Sequence, residues 1–510
     1  MSRSFSAFAV LAAVLVASLA SATGAGAQGG RSVSFSSLLS KSVDGGFPNG
    51  ASRNGNVSAD KRIARYIGYE SDATNIVPND TNGHTDVFVV RRDTKVSSFS
   101  EDGSPWVPGP TLLVSRGRGG QPANGRSFDL ALDGDSDENA RCAAFVSEAS
   151  NLVSGDSNGV ADAFVMDLSN RKIKRVSESK SGKQANGPTN DVSISGDCSR
   201  VAFSSSATNL GGKAEIGTKS SRDARGANNG KSQVFVKAID GDDEDDVVVA
   251  SVSDSNKLGN GDSKEVDFAR KGHAVVFESD ASNLAPDGNG APDVFLRQFK
   301  RFKANKAQPE YEFDTELISA AKGGKAGNGP SVHPSVDSKG RYVAFQTEAS
   351  NIAGGTGGFS QIVRVDRDKD KKKIVSSNKD GSIGNGDSNR PSISAIGFFV
   401  FYDSVATNFR PPGRANDENG QRDIVKWYEL SGNSDIESRD HKNVFIQSPS
   451  QNPHVGLHGN YVAYESLDQN VDETVRGGGP SAYPIMYLRY VGPCARTETL
   501  PDGTRRCFLR

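Results

Sequence analysis

The sequence predicts an all-β protein, a seven-bladed β-propeller of four-stranded antiparallel blades. Three observations carry this: a short unit recurs along the chain, its apolar runs are strand-like, and the two chain ends read as parts of one blade. The fullest copy is Val275-Val276-Phe277-Glu278-Ser279-Asp280-Ala281-Ser282-Asn283-Leu284, followed after a polar loop by Asp293-Val294-Phe295-Leu296. A unit this small cannot bury its own apolar face, so copies must stack on one another.

The Asn of each Ala-Thr/Ser-Asn anchor counts the copies: Asn75, Asn151, Asn209, Asn283, Asn351, Asn408 and, in degenerate form, Asn470. Seven units result. Their spacing varies while the strand core repeats, which is how repeat proteins absorb loop insertions. In the fifth copy Ser331 to Val336 reads as the first strand and Asp337-Ser338-Lys339-Gly340 as a tight turn. Arg341 to Phe345 is the second strand, Gln361 to Val365 the third and Lys373 to Ser376 the fourth. Alternating and β-branched residues fit half-buried strands, and no 3.6-residue apolar period follows the N-terminus, so helix is scarce. Six copies are preceded by Asn-Gly: Asn49-Gly50, Asn124-Gly125, Asn186-Gly187, Asn260-Gly261, Asn328-Gly329 and Asn385-Gly386. That pair tolerates positive φ and reads as a sharp turn between units.

Four-stranded units repeated radially leave few exposed edges, which is the propeller solution. Phe35-Ser36-Ser37-Leu38-Leu39-Ser40 resembles the fourth-strand run Thr315 to Ser319, and the seventh copy stops after its third strand, Ile485 to Arg489. Residues 33 to 40 are therefore expected to complete the last blade and close the ring. Strand parity places anchor loops and Asn-Gly segments on one face, called face one below. The basic turns Lys300-Arg301-Phe302-Lys303 and Lys369 to Lys373 fall on the other.

Arg3, the apolar run Ala7 to Ala20 and Ala25-Gly26-Ala27 form the pattern of an export signal over residues 1–27. No second apolar stretch approaches the ~20 residues that span a bilayer. The expected organisation is a propeller over 28–492 and a tail over 493–510. Cys494 and Cys507 would close that tail around Pro501-Asp502-Gly503, and Cys142 and Cys198 then pair by elimination, stapling consecutive copies. No Cys-x-x-Cys occurs, which removes the usual redox and zinc readings. With 60 Lys+Arg against 62 Asp+Glu the net charge is only -2, which argues against nucleic acid as a partner. A secreted or periplasmic monomer is expected.

Asp337-Ser338-Lys339-Gly340-Arg341-Tyr342-Val343-Ala344-Phe345 and Asp86-Val87-Phe88-Val89 resemble the WD-like repeats of the TolB-type β-propeller family. The resemblance spans the expected mature chain, with seven repeats where six are usual and no α/β domain ahead of them. It implies a propeller in a family of periplasmic protein-binding scaffolds, peptidase-associated propellers and a few enzymes.

The candidate ligand set is Asp-x-Asn-Gly-x-x-Asp in the anchor loop. It stands as Asp80, Asn82, Asp86; Asp156, Asn158, Asp162; Asp287, Asn289, Asp293; and Asp417, Asn419, Asp423. Hard oxygens around a turn-forming Gly suit Ca²⁺, although each loop offers three side chains against the 6 to 8 oxygens Ca²⁺ takes. Asn and Asp that cap turns by bonding backbone N–H groups explain the same residues without metal. Gln233 and Gln361, which replace the last Asp in copies three and five, fit that second account. No Gly-x-Ser-x-Gly, His-Glu-x-x-His or phosphate-cradling Gly loop occurs. His333 and His454 lie on or near first strands, which line a propeller's channel, where histidines can bind metal or act as acid and base. The expectation is a non-enzymatic scaffold binding a protein or envelope polymer on face one. The alternative is a polysaccharide lyase or hydrolase, or a cofactor-dependent dehydrogenase, with its site at the channel.

Overall fold

The computed structural model describes residues 35–60, 63–93, 106, 108–211, 229–239, 247–299, 314–409, 417, 419–440, 444–472, 474, 475, 477, 479–492, 496–499 and 505–508. Among these residues seven four-stranded antiparallel sheets succeed one another in a closed ring, and helix is limited to two 3-10 turns, Arg118–Gly120 and Arg367–Lys369. The first strands are Ser52–Val57, Ser127–Leu132, Thr189–Ile194, Ser263–Phe268, Ser331–Val336, Ser388–Ile393 and Ser450–Val455. Each lies beside the next and the last lies beside the first, so together they wall a central channel.

Second and third strands are covered on both sides by neighbouring blades, which explains their nearly unbroken apolar runs. Their shared aromatic position stacks in blades 1 to 4: Tyr69 on Phe88, Phe145 on Phe164 and Phe203 on Phe235 at 5.7 Å, Phe277 on Phe295 at 6.0 Å. Such pairs add about 0.5–1.5 kcal/mol beyond their burial. The fifth blade follows the expected order, except that its fourth strand is Lys371–Ile374 rather than 373–376.

The ring closes as the sequence predicts. Phe35–Leu38 pairs antiparallel with the third strand of blade 7, Phe35 opposite Tyr490 and Leu38 opposite Tyr487. Cys142 and Cys198 form a disulfide, joining the second strand of blade 2 to the first turn of blade 3. The Cys494–Cys507 bond and the segment 1–27 lie outside the described residues.

The Asn-Gly pairs differ from expectation, since none of their residues has positive φ. Each Asn instead clasps the anchor loop of its own blade. Asn49 N–H donates to Asn75 Oδ1 at 3.0 Å, its Oδ1 accepts from Thr74 N–H at 2.9 Å and its Nδ2 donates to Thr74 Oγ1 at 3.0 Å. Asn385 makes the same three bonds to Asn408 and Thr407. The Gly is required by close approach: a Cβ on Gly50 would meet the backbone of Asp72 and Ala73 at 2.8 Å.

Candidate functional site at the channel mouth

The channel wall carries a device that no single copy of the repeat reveals. In six blades the third residue of the first strand is a non-glycine residue with φ between 50° and 54°: Asn54, Asp129, Glu265, His333, Arg390 and Asn452. The bulge turns each backbone N–H toward the preceding blade, where a side chain receives it. Glu465 accepts from Asn54, Glu70 from Asp129, Asp191 from Glu265, Glu278 from His333, Gln346 from Arg390 and Asp403 from Asn452, at 2.6 to 3.3 Å.

A second ring lies two residues deeper. Asn56 accepts from Leu132 N–H, Ser193 from Phe268, Asp267 from Val336, Ser335 from Ile393, Ser392 from Val455 and His454 Nδ1 from Val57, at 2.8 to 3.2 Å. The remaining seam, between blades 2 and 3, has Ala131 at this position and no acceptor to offer. Asp129 reaches Val192 N–H there, and this is the seam the disulfide crosses. Arg270 extends from blade 4 past blade 3 to donate to the Leu132 carbonyl of blade 2 at 2.7 Å.

These belts redefine both channel histidines. His454 Nδ1 accepts a backbone hydrogen bond, so the ring is neutral, and burial with the nearby Arg270 charge pulls its pKa down to about 3. It is a structural acceptor rather than an acid or base. His333 stays 31% exposed, its Nδ1 3.4 Å from Glu265 Oε2. It borders a cavity of about 330 Å³ at the face-one mouth with Gln346, Asn389, Arg390, Asp403, Arg422, Gln451 and Asn452, all polar. Arg422 pairs with Asp403, and Arg390 donates to Asn452 Oδ1 at 2.7 Å. From Glu265 an acidic run continues along the channel wall to Asp191 and Asp129, and burial together with their mutual repulsion pushes the Asp129 carboxyl well up and that of Asp191 to about 6.

The anchor-loop motif has a consistent geometry. Asn82 Nδ2 donates to Asp86 Oδ2 at 2.6 Å and to the Ala123 carbonyl of the next connection at 3.1 Å, while Ser115 Oγ donates to Asp86 Oδ1 at 2.5 Å. Asn158 with Asp162, Asn289 with Asp293 and Asn419 with Asp423 repeat the arrangement. Gln233 and Gln361 do both tasks, each donating to the next connection (Gly259 and Gly384 carbonyls) and accepting from Ser251 or Ser376, with Asn229 Nδ2 a second donor to Gly259. The Asn and final Asp thus clamp blades 1, 2, 4 and 6 each to the next, and the first Asp of the motif takes no part in that clamp. Asp133, Cys142 and Cys198 also converge, but both sulfurs are spent in the disulfide.

Several buried carboxyls have a consequence for pH. Burial pushes Glu70 and Asp133 up to about 7 and Asp337 to about 6, against the hydrogen bonds they receive. Between about pH 8 and 5 the folded chain therefore binds protons that the unfolded chain does not, and stability rises as pH falls. His454 works in the opposite sense, since the unfolded ring protonates below about 6.5 while the folded one does not. Asp162, Asp191, Asp293 and Asp423 are raised in the same sense, so the carboxyls outweigh the one imidazole: the unfolding midpoint is expected to be higher at about pH 5.5 than at pH 8, and His454→Asn to steepen that rise. A midpoint that falls steadily from pH 8 to 5.5 would contradict the assignment.

No protein-family model matches the chain, and no curated protein matches it by sequence. Among solved structures it is similar to TolB from Acinetobacter baumannii at 14% identity, over 69% of this chain and 58% of that one, with a TM-score of 0.34. It is similar to Pyrococcus horikoshii acylaminoacyl peptidase at 10% identity, over 90% of this chain and 52% of that one, TM-score 0.43. It is likewise similar to oligogalacturonate lyase from Vibrio parahaemolyticus at 10% identity, over 90% of this chain and 97% of that one, TM-score 0.44. The chain spans little more than half the length of the TolB and the peptidase. The seven-bladed propeller is TolB-like in form, and likeness at these levels carries over no residue role. The neighbours do correct one expectation, that the chain is not an enzyme, because two of these three are enzymes. The reasoning from missing motifs fails for a physical reason: a channel site is assembled from one or two residues of each blade, so it leaves no contiguous signature.

Proposed function

We propose that the protein is an exported, monomeric binding propeller that docks a partner protein on face one, over the channel mouth. The observation that carries this is one-sidedness. Of the five large apolar side chains most exposed among the described residues, Val43, Phe359, Val405 and Val444 stand on face-one loops, and Leu430 alone stands on the other face. Scattered singles are normal on a surface, but four on the face that also holds the polar cavity provide apolar anchors around a charged centre. The Cys142–Cys198 disulfide fits the oxidising compartment that a cleaved 1–27 segment would lead to. In vivo cross-linking of Phe359→Asp and Val405→Asp is expected to lower partner capture by about tenfold, the loss of one or two anchors. Leu430→Asp should leave capture unchanged; equal loss in all three variants would reject the reading.

A second reading rests on His333 and Glu265 at the cavity. There the pair would act as acid and base on a polymer segment entering the mouth. His333→Ala that leaves turnover of every envelope or plant polysaccharide tested unaltered would dismiss it.

A further inference from the structure

Blades 1 and 2 carry the same anchor-loop motif and differ in what faces its first Asp. In blade 2 the Arg175 guanidinium lies 3.3 Å from Asp156, and the two side chains are 7% and 5% exposed. Arg175 stands opposite Phe164, two residues after Asp162, on the fourth strand. The same position in blade 1, opposite Phe88, is Leu113. No guanidinium is available there. Yet Asp80 is just as buried, at 6% exposure, and its Oδ1 is sealed from solvent without a hydrogen-bond partner. A buried carboxylate oxygen left without a donor or a cation is costly. Asp86 adds a second carboxylate beside it, held by Ser115 and Asn82 with lone pairs to spare. His84, on the same loop, is exposed.

We propose that the blade 1 anchor loop binds one divalent cation, Ca²⁺ by its oxygen donors, with Asp80 and Asp86 as carboxylate ligands and Asn82 as the residue that positions Asp86. Loop carbonyls and water complete the 6 to 8 oxygens Ca²⁺ takes. In blade 2 the Arg175 guanidinium takes the cation's place. In blade 4 Asp287 is only half-buried, and neither of its oxygens is sealed without a partner. Asp417 in blade 6 repeats the state of Asp80, 5% exposed with Oδ2 unpartnered. Two carboxylates and an exposed loop suit an affinity of about 10⁻⁴ to 10⁻³ M, as in extracellular modules.

The test uses Ca²⁺ alone, with binding read by calorimetry and the unfolding midpoint compared in EDTA and in about 10 mM Ca²⁺. A rise of about 2 °C is expected for the unaltered protein. Asp80→Asn and Leu113→Arg should each remove one equivalent of bound Ca²⁺, the second by supplying the guanidinium that blade 2 has. Asp156→Asn should remove none. No binding heat and no rise in the unaltered protein, or full stoichiometry in either blade 1 variant, would overturn the proposal. If Asp80→Asn does not fold, the unaltered protein and Leu113→Arg still decide.

Discussion

Deleting residues 28 to 42 is expected to abolish cooperative unfolding of the ring. The segment supplies the fourth strand of blade 7, and with it goes every backbone bond from Phe35 opposite Tyr490 to Leu38 opposite Tyr487. Leu38 and Leu39 are 1% and 4% exposed and sit in two different apolar clusters, one on each side of the blade. Burying each is worth about 1.5–3 kcal/mol. Ser40 Oγ accepts from Met486 N–H at 3.2 Å, and Leu38 N–H reaches Asp472 Oδ2 at 2.6 Å. Each such bond adds about 1 kcal/mol, and more to a carboxylate. The sum, on the order of 6–9 kcal/mol, is comparable to the whole stability of an ordinary protein. The deletion also uncovers the third strand of blade 7, whose free edge would template pairing with another chain. Calorimetry of residues 43–510 against 28–510 should show a broad, weak transition and soluble aggregates by light scattering. An unchanged, sharp melting curve would mean that blade 7 is stable with three strands and that the closing strand is ornamental.

The fold was legible because its determinants repeat. The Asp-Val-Phe strand, the anchor Asn and the copy count each appear several times, so irregular copies could be read against regular ones, and the closing strand followed from the fourth strand that blade 7 lacks. What the repeat concealed was chemistry distributed one residue per blade. Asn54, Asp129, Asp191, Glu265, His333, Arg390 and Asn452 share one position in the first strands, yet they differ in charge and size and look like ordinary solvent-facing residues of a period-two pattern. Their common property is a backbone one, a left-handed bulge in six of the seven, which side-chain chemistry does not advertise. Aligning the seven first strands on their opening Ser or Thr would have found the polar third position and the acceptor at the fifth. Asn-Gly was misread for a related reason. Turn statistics describe the pair in isolation, whereas here its Gly answers to the backbone of Asp72 and Ala73, more than 20 residues away in sequence. Arg175 was invisible because only strand register places it over Asp156.

Arg489→Met should produce the largest single-residue loss, about 3–5 kcal/mol, the cost of leaving a buried ion pair half broken. Arg489 is fully buried on the third strand of blade 7. Its Nη1 donates to Ser36 Oγ and to the Arg439 carbonyl, each at 3.0 Å, and its Nε lies 3.5 Å from Glu437 Oε2. One guanidinium therefore joins the end of blade 6, the middle of blade 7 and the N-terminal strand. Burial works against the charge on Glu437, but Lys426 and Arg489 outweigh it and hold that carboxyl below the ordinary Glu value. A depressed carboxylate pKa contributes stability above the unfolded value and loses it as pH falls. The difference between the unaltered protein and Arg489→Met should thus be full at neutral pH and shrink below about pH 4.5. Removing the Glu437 charge as well should recover part of the loss, since Arg489→Met with Glu437→Gln leaves no under-paired carboxylate but takes from Lys426 its ion-pair partner. Urea unfolding of the two single variants and the double variant measures the coupling as a cycle. Additive losses would mean that Lys426 alone neutralises Glu437 and that Arg489 acts through its hydrogen bonds to Ser36 and Arg439. In that case Arg489→Met and the 28–42 deletion would share only the Ser36 contact, and the bond to the Arg439 carbonyl would set the extra cost of combining them.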